Sequence, residues 1–356
     1  MASKRGKKLI DKLNYYFLYI LGAVLILMIV IHYLSLRYIR SMKKLRWNAS
    51  DYLEVEEFEN SNSEKDKYEA GYNNDYDPFD DDYCNLYNIV FNEKAIYKHD
   101  VNEIMKRVFT YKRLKSGGKG TKGGTVKDPR EAKVLDAGVG VGRHYNLLNM
   151  KIKNLIGVDR SKSMIKYAKI RNPGEDFIHG NLTDSSLFNT DSYDCITCLT
   201  DTLYHNKPSE MKDIIKNFRL WLNDNGILCI HIWNRKNLDP APMNRSQYYK
   251  DKNGIKHAQT KYKNFVHDAF WLKGDSNDGV ANVKLVEKVI FNNKDDLVNK
   301  HKKIEDRVKV HDMYIPKKKE IIKMITDNGF ELIDISDYKK IKVDIYDLYF
   351  FKKSIS

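Results

Sequence analysis

The chain has 356 residues, with 62 Lys or Arg against 48 Asp or Glu, a net charge of +14. That length holds one sizeable core plus extensions. Four cysteines, at 84, 195, 198 and 229, are too few and too scattered for a disulfide-stapled or zinc-framed fold and suit a reducing compartment. The lysines are dispersed, so the positive balance does not by itself mark a nucleic-acid binder.

Residues 1–12 form a basic flank carrying Lys4, Arg5, Lys7 and Lys8. From Leu13 to Leu36 no Asp, Glu, Lys or Arg occurs. At ~1.5 Å per residue a helix over 13–36 reaches about 36 Å, enough for a hydrocarbon core of ~30 Å. Tyr15, Tyr16, Tyr19, Tyr33 and Tyr38 gather toward its two ends, as interfacial aromatics do. A cleavable signal peptide is the competing reading, but the run is long and His32-Tyr-Leu-Ser-Leu-Arg37 lacks a small-x-small cleavage pattern. We therefore expect one N-terminal transmembrane helix. Basic residues on both sides balance, so charge does not set its orientation.

Residues 37–82 are basic, then acidic, and read as a flexible tether. From Tyr83 to Phe109 the apolar residues Tyr87, Ile89, Val90, Ile96, Ile104 and Val108 recur at helical spacing. The Gly- and Lys-rich stretch 115–124 looks like a phosphate loop only superficially, because it precedes a strand instead of following one. It is expected to be a mobile loop.

Lys133-Val-Leu-Asp136-Ala-Gly138-Val-Gly140-Val-Gly142-Arg143, then Leu155-Ile-Gly-Val-Asp159, reads as a nucleoside-binding βαβ unit. A dinucleotide fingerprint would need glycine where Arg143 stands. Asp136, just ahead of the glycines, suits a cationic ligand better than a pyrophosphate, and S-adenosylmethionine carries a sulfonium and an ammonium. Asp159, at the end of the second strand, would accept from ribose hydroxyls.

Further on, Met211, Ile214, Ile215, Phe218 and Leu222 repeat at helix spacing, Gly226 reads as a stop, and Ile227 to Trp233 as a buried strand. Within 234–314, Phe265 to Leu272, Val283 to Phe291 and Arg307 to Tyr314 read as strands of an inserted antiparallel piece, the expected substrate lid. Pro316 opens a helix that Gly329 closes, and Phe330 to Ile335 with Leu348 to Phe351 form a terminal hairpin. Cys195 and Cys198 lie three apart on a strand and so point to opposite faces, which rules out a shared metal or disulfide.

From about Tyr83 onward the sequence resembles the class I S-adenosylmethionine-dependent methyltransferases. The resemblance implies an α/β fold: a doubly wound, seven-stranded, mostly parallel Rossmann-like sheet spanning 83–356, with the inserted β lid and a leading helix over the cofactor pocket. It places Asp136, Gly138, Gly140 and Gly142 at the methionine end of S-adenosylmethionine and Asp159 at the ribose, with Arg160, Leu182 and Leu199 also among the cofactor-binding residues. Asn181, in His179-Gly-Asn-Leu-Thr, falls at the adenine edge; many relatives have Asp where Asn181 stands, and an amide oxygen still accepts from an exocyclic amine. Tyr193 to Leu199 becomes the fourth strand, and Thr200-Asp-Thr-Leu-Tyr204-His205 the loop facing both cofactor and acceptor.

In that loop His205 is the expected general base, with an unperturbed pKa of about 6.5, and Asp201 is second; Asp194 and Tyr204 read as structural. No metal is expected. Neither the Asn/Asp-Pro-Pro-Tyr/Phe signature nor a Pro-Cys nucleophile occurs, which disfavours DNA, while RNA stays open. A small or lipidic acceptor near a membrane comes first, a protein acceptor next, and a membrane-tethered scaffold without turnover is the non-enzymatic alternative. The cofactor's supply places the domain on the cytoplasmic or mitochondrial-matrix side. The oligomeric state is left open.

Overall fold

The structure is a computed structural model that describes residues 28, 79–91, 93–116, 130–238, 240, 246–273, 282–291, 306–341 and 343–354. The chain divides into two compact units, 1–46 and 47–356. Of the first only Met28 is described, helical and exposed. The expected span 13–36, apart from Met28, lies outside the described residues, as do the flank 1–12, the tether up to residue 78 and the loop from residue 117 to 124. Among the described residues no helix is long and apolar enough to cross a membrane.

The single leading helix expected over 83–109 is two helices. Helix α1 spans Asp81–Val90 and α2 spans Lys94–Ser116. Asp80 starts α1 by accepting the Tyr83 N–H at 2.8 Å, so the acidic run opens a helix instead of remaining tether. At its end Arg143 donates to the carbonyls of Tyr87 and Phe91, the first of which also accepts the Phe91 N–H at 3.0 Å.

Strand β1 (Lys133–Ala137) leads through α3 (Arg143–Asn149) to β2 (Asn154–Asp159), then α4 (Lys162–Arg171) and β3 (Phe177–His179). The chain returns to β4 (Tyr193–Cys198), α5 (Pro208–Trp221) and β5 (Leu222–Trp233). Helix α6 (Lys318–Asp327), β11 (Phe330–Ser336) and β12 (Tyr346–Lys353) close the domain. The sheet order is β11-β12-β5-β4-β1-β2-β3, with the five strands from β5 to β3 parallel and the β11–β12 hairpin antiparallel. Strand order reverses between β1 and β4, which opens a crevice at their carboxyl ends.

Gly226 does not end α5. The helix stops at Trp221, and β5 starts at once with a bulge, the pairing stepping from Tyr193↔Leu222 to Cys195↔Ile227, with Asn225 at φ 61°. All four cysteines are buried and none forms a disulfide; Cys195 and Cys198 lie on one strand, and Cys195 Sγ is 3.7 Å from Cys229 Sγ.

The inserted region forms a second, antiparallel sheet of five strands, β6 (Gln247–Lys250), β7 (Lys256–Lys261), β8 (Phe265–Lys273), β9 (Asn282–Phe291) and β10 (Arg307–Tyr314), in the order β10-β9-β8-β7-β6. Sequence patterning finds only the last three. Strands β6 and β7 have few apolar residues and pack instead through buried polar pairs: His257 Nδ1 lies 2.8 Å from Asp268 Oδ2, and the hydroxyls of Thr260 and Ser246 are 2.8 Å apart.

Asp100 of α2, fully buried, ties the main domain together. His144 Nε2 lies 2.7 Å from its Oδ2, and Tyr338 donates to its Oδ1. His231 of β5 accepts the Thr200 N–H on Nδ1 at 2.7 Å, so its proton sits on Nε2, 2.7 Å from the Tyr338 hydroxyl. Replacing Asp100 by Ala strands three buried polar side chains. The expected loss is about 3–5 kcal/mol, read from the urea midpoint at constant slope; a loss below about 1 kcal/mol would show that the network does not hold these elements together.

Candidate active site

After β1 the backbone turns sharply. Gly138 and Val139 both donate to the Val158 carbonyl, at 2.8 and 2.9 Å, and Gly140 donates to Asp159 Oδ2 at 2.9 Å. Gly138 and Gly140 have φ of +74° and +53°, where a side chain is strained. A Cβ on Gly138 would lie 2.1 Å from Thr202 Cγ2, whereas one on Gly140 would meet nothing within 4 Å. Gly140 therefore presents bare backbone to open space. Gly142 has a different job: it caps α3, and a Cβ there would lie 2.6 Å from Asn172 Nδ2.

That open space is a cavity of about 920 Å³, counting its mouth. Asp136, Gly138, Gly140, Asp159, Arg160, Asn181, Leu182, Leu199, Asp201 and His205 all line it; Gly142 does not. Phe79, Tyr87 and Tyr97 join them from the N-terminal segment, with Met164, Thr200, Thr202 and Asn206. Sequence reading anticipates the loop that carries Thr200 and Thr202 and a leading helix over the pocket, but not Phe79, Tyr97, Met164 or Asn206, which no motif marks.

The electrostatics favour a cation. Asp136 is buried and accepts from Thr197 Oγ1 at 2.7 Å; burial pushes its carboxyl above the ordinary range, nearby Asp159 adds to this, and His144 and the Thr197 hydroxyl oppose it. An ammonium in the cavity would relieve that cost. The hydrogen-bond donors of Arg143 are engaged, its guanidinium donating to Tyr97 Oη and to the carbonyls of Tyr87 and Phe91 and lying over the Tyr87 ring. Arg160 reaches the His205 carbonyl at 3.3 Å. Asp159 Oδ1 accepts the Ser161 N–H at 2.9 Å and Asn181 Oδ1 the Thr183 N–H at 3.1 Å, so both side chains are fixed at the cavity edge. Bare backbone at Gly140 and paired acids at strand ends fit an adenosyl ligand with a cationic amino-acid end.

The loop after β4 forms the far wall. Thr200, at φ 56°, gives its N–H to His231 and its carbonyl to Trp233 Nε1 at 2.9 Å. Asp201 Oδ2 lies 3.1 Å from His205 Nε2. Burial alone would raise the Asp201 carboxyl, but the adjacent His205 ring, hydrogen-bonded to it, holds it below the usual range. Tyr204 is buried and accepts the Trp233 N–H at 2.8 Å, and Asp194 accepts the Lys133 N–H at 3.1 Å; both are structural. Behind this wall a second chamber shares Phe79, Tyr87, Tyr97, Thr200, Asp201 and His205 with the first and reaches the lid sheet through Trp271, Leu285 and His311.

Residues 134–226 match the family described as a methyltransferase domain. A curated relative, dTDP-3-amino-3,6-dideoxy-alpha-D-glucopyranose N,N-dimethyltransferase of Streptomyces fradiae, is 26% identical over 106 residues, 30% of this chain; the match spans only 41% of the relative's length. Among solved structures, an S-adenosylmethionine-dependent methyltransferase from Clostridium acetobutylicum ATCC 824 has the same fold, with a TM-score of 0.54 at 15% identity, covering 77% of this chain and 98% of that one.

Two outcomes follow for the cavity. Gly140→Ala, whose methyl group enters empty space but at a strained positive φ, should lower stability by only about 1–2 kcal/mol and weaken S-adenosylmethionine binding at least about tenfold by calorimetry, about 1.4 kcal/mol. Affinity should fall as pH drops through the raised Asp136 titration, because the protonated carboxyl no longer pairs with a cation, and Asp136→Asn should bind weakly with a flattened pH profile. A Gly140→Ala protein with unchanged affinity would place the cofactor elsewhere.

Proposed function

The chain carries a methyltransferase domain whose cofactor is S-adenosylmethionine, and from that premise we propose that it methylates an amine nitrogen on a small-molecule acceptor, an amino sugar before other classes. The observation that carries this reading is the Asp201–His205 pair in the wall common to both chambers. Support for nitrogen, and for a sugar, comes from the named activity of the Streptomyces fradiae relative. Asp136, Gly138, Gly140 and Asp159 hold the cofactor on the glycine side; Arg160, Asn181, Leu182 and Leu199 bound the nucleoside.

When bound, S-adenosylmethionine supplies an electrophilic methyl, so that the N–C bond forms from the amine lone pair, the S–C bond breaks with its pair left on sulfur, and the nitrogen gives up a proton. The protein's part is alignment and proton removal. Alignment alone is worth about 7–11 kcal/mol in favourable cases. Asp201 fixes the His205 tautomer by accepting from Nε2, which leaves the Nδ1 lone pair to take the proton.

The apolar stretch 13–36 is read as a membrane anchor that keeps the domain on the side where the cofactor is made available, the cytoplasm or a mitochondrial matrix. Carbonate-resistant membrane association that disappears when 13–36 is deleted supports the anchor; extraction of the intact chain by carbonate contradicts it.

Full-length protein given methyl-labelled cofactor and a fractionated extract should place label in small amines. Label confined to protein or RNA would contradict the acceptor class, and cofactor binding without any transfer would favour a scaffold. His205→Ala should lower kcat about 10²- to 10⁴-fold with cofactor affinity unchanged; a loss below about threefold would remove His205 from the base role.

A further inference from the structure

We propose that the second chamber binds a hydroxylated amine that carries no phosphate, and so excludes nucleotide-linked acceptors of the kind named for the Streptomyces fradiae enzyme. The inference rests on reading the chain as a small-molecule N-methyltransferase and concerns only what its acceptor subsite admits.

The chamber is about 870 Å³ with its mouth, room for a single ring system with substituents. Glu93 and Asp201 line it, and none of the described lining residues is Lys or Arg. A diphosphate brought beside those carboxylates would meet like charge at short range. An ammonium meets the reverse. The walls are aromatic, with Phe79, Tyr83, Tyr97, Trp233 and Tyr346 among them, and ring faces attract alkylated ammonium groups while stacking on the apolar face of a sugar or similar ring.

Hydroxyls on the ligand are called for by two polar atoms of the lid. Trp271 Nε1 on β8 and His311 Nδ1 on β10 are buried, with residue exposures of 3% and 2%, and neither has a hydrogen-bond partner in the protein. Both residues line the chamber. Buried polar atoms are seldom left unmatched unless a ligand or water completes them. His311 is oriented from behind. Its Nε2 is 2.8 Å from Glu287 Oε2, and Glu287 is in turn held by the Tyr83 hydroxyl at 2.6 Å and by His267 Nε2 at 2.8 Å from Oε1. The lid thus offers one donor, the Trp271 indole, and one ring nitrogen, His311 Nδ1, that a hydroxyl can match in either tautomer. Hydroxyl groups satisfy both, whereas a purely hydrocarbon amine satisfies neither.

The test uses full-length protein and a matched pair of probes, free 3-amino-3-deoxyglucose and its dTDP-linked counterpart, after calorimetry has established S-adenosylmethionine binding. The free amino sugar should be methylated with a KM at least tenfold below that of the nucleotide-linked form. Trp271→Phe, which keeps the ring and removes the N–H, should raise the KM for the free sugar about tenfold, with the cofactor Kd within twofold of the parent; His311→Phe should act the same way. Preference for the dTDP-linked probe, turnover of neither probe, or a Trp271→Phe protein with unmoved KM would each overturn the inference while leaving the methyltransferase reading intact. Absence of cofactor binding would instead overturn that reading, and the subsite with it.

Discussion

The site depends on one constraint: the turn after β1 must be clamped onto the end of β2 while leaving its backbone bare. Two amides pointing at the Val158 carbonyl and a third at Asp159 fix the turn. Thr202 fills the space where a side chain on Gly138 would have to go, so the loop after β4 docks on the same glycine that lets the chain bend. The crevice between β1 and β4 is thereby shaped from both sides by main chain, and three acids, Asp136, Asp159 and Asp201, are among the side chains that line it. A pocket of this kind selects by charge before it selects by shape.

Those acids were legible from sequence because each stands at a strand end beside glycines, a placement with a chemical reason. The parallel order, the terminal hairpin and three strands of the second sheet were legible too, since apolar periodicity marks them. What patterning misses has tertiary causes. The end of α1 is capped by Arg143, fifty residues downstream, which donates to the carbonyls of Tyr87 and Phe91. Strands β6 and β7 are stabilised by His257, Asp268, Ser246 and Thr260 instead of an apolar alternation. Gly142 looks from spacing like a third pocket glycine, yet its lack of a side chain makes room for Asn172. Gly226 resembles a helix stop and sits in a bulged strand.

The aromatic side of the site is the part least visible in advance. Phe79, Tyr87 and Tyr97 arrive from a segment that as sequence is only an acidic tether running into a helical pattern. Their arrival is secured by contacts far away in the chain, among them Tyr83 on Glu287 of the lid and Asp100 among His144, His231 and Tyr338. The same contacts couple the two chambers. His311 of β10 lies 5.8 Å from His205, ring centre to ring centre, so the lid and the Asp201–His205 loop meet at one point. The two chambers are in this way parts of a single packed unit, walled by the parallel sheet on one side and by the second sheet on the other.

The central claim is that the acid-lined cavity on the glycine turn takes a cationic adenosyl donor in preference to a dinucleotide. Calorimetric titration of the full-length protein with S-adenosylmethionine, S-adenosylhomocysteine and NAD tests it most directly. The account predicts saturable binding of the first two at one shared site and none of the third. Equal or tighter binding of NAD, or heat from neither adenosyl compound at millimolar concentration, would contradict it.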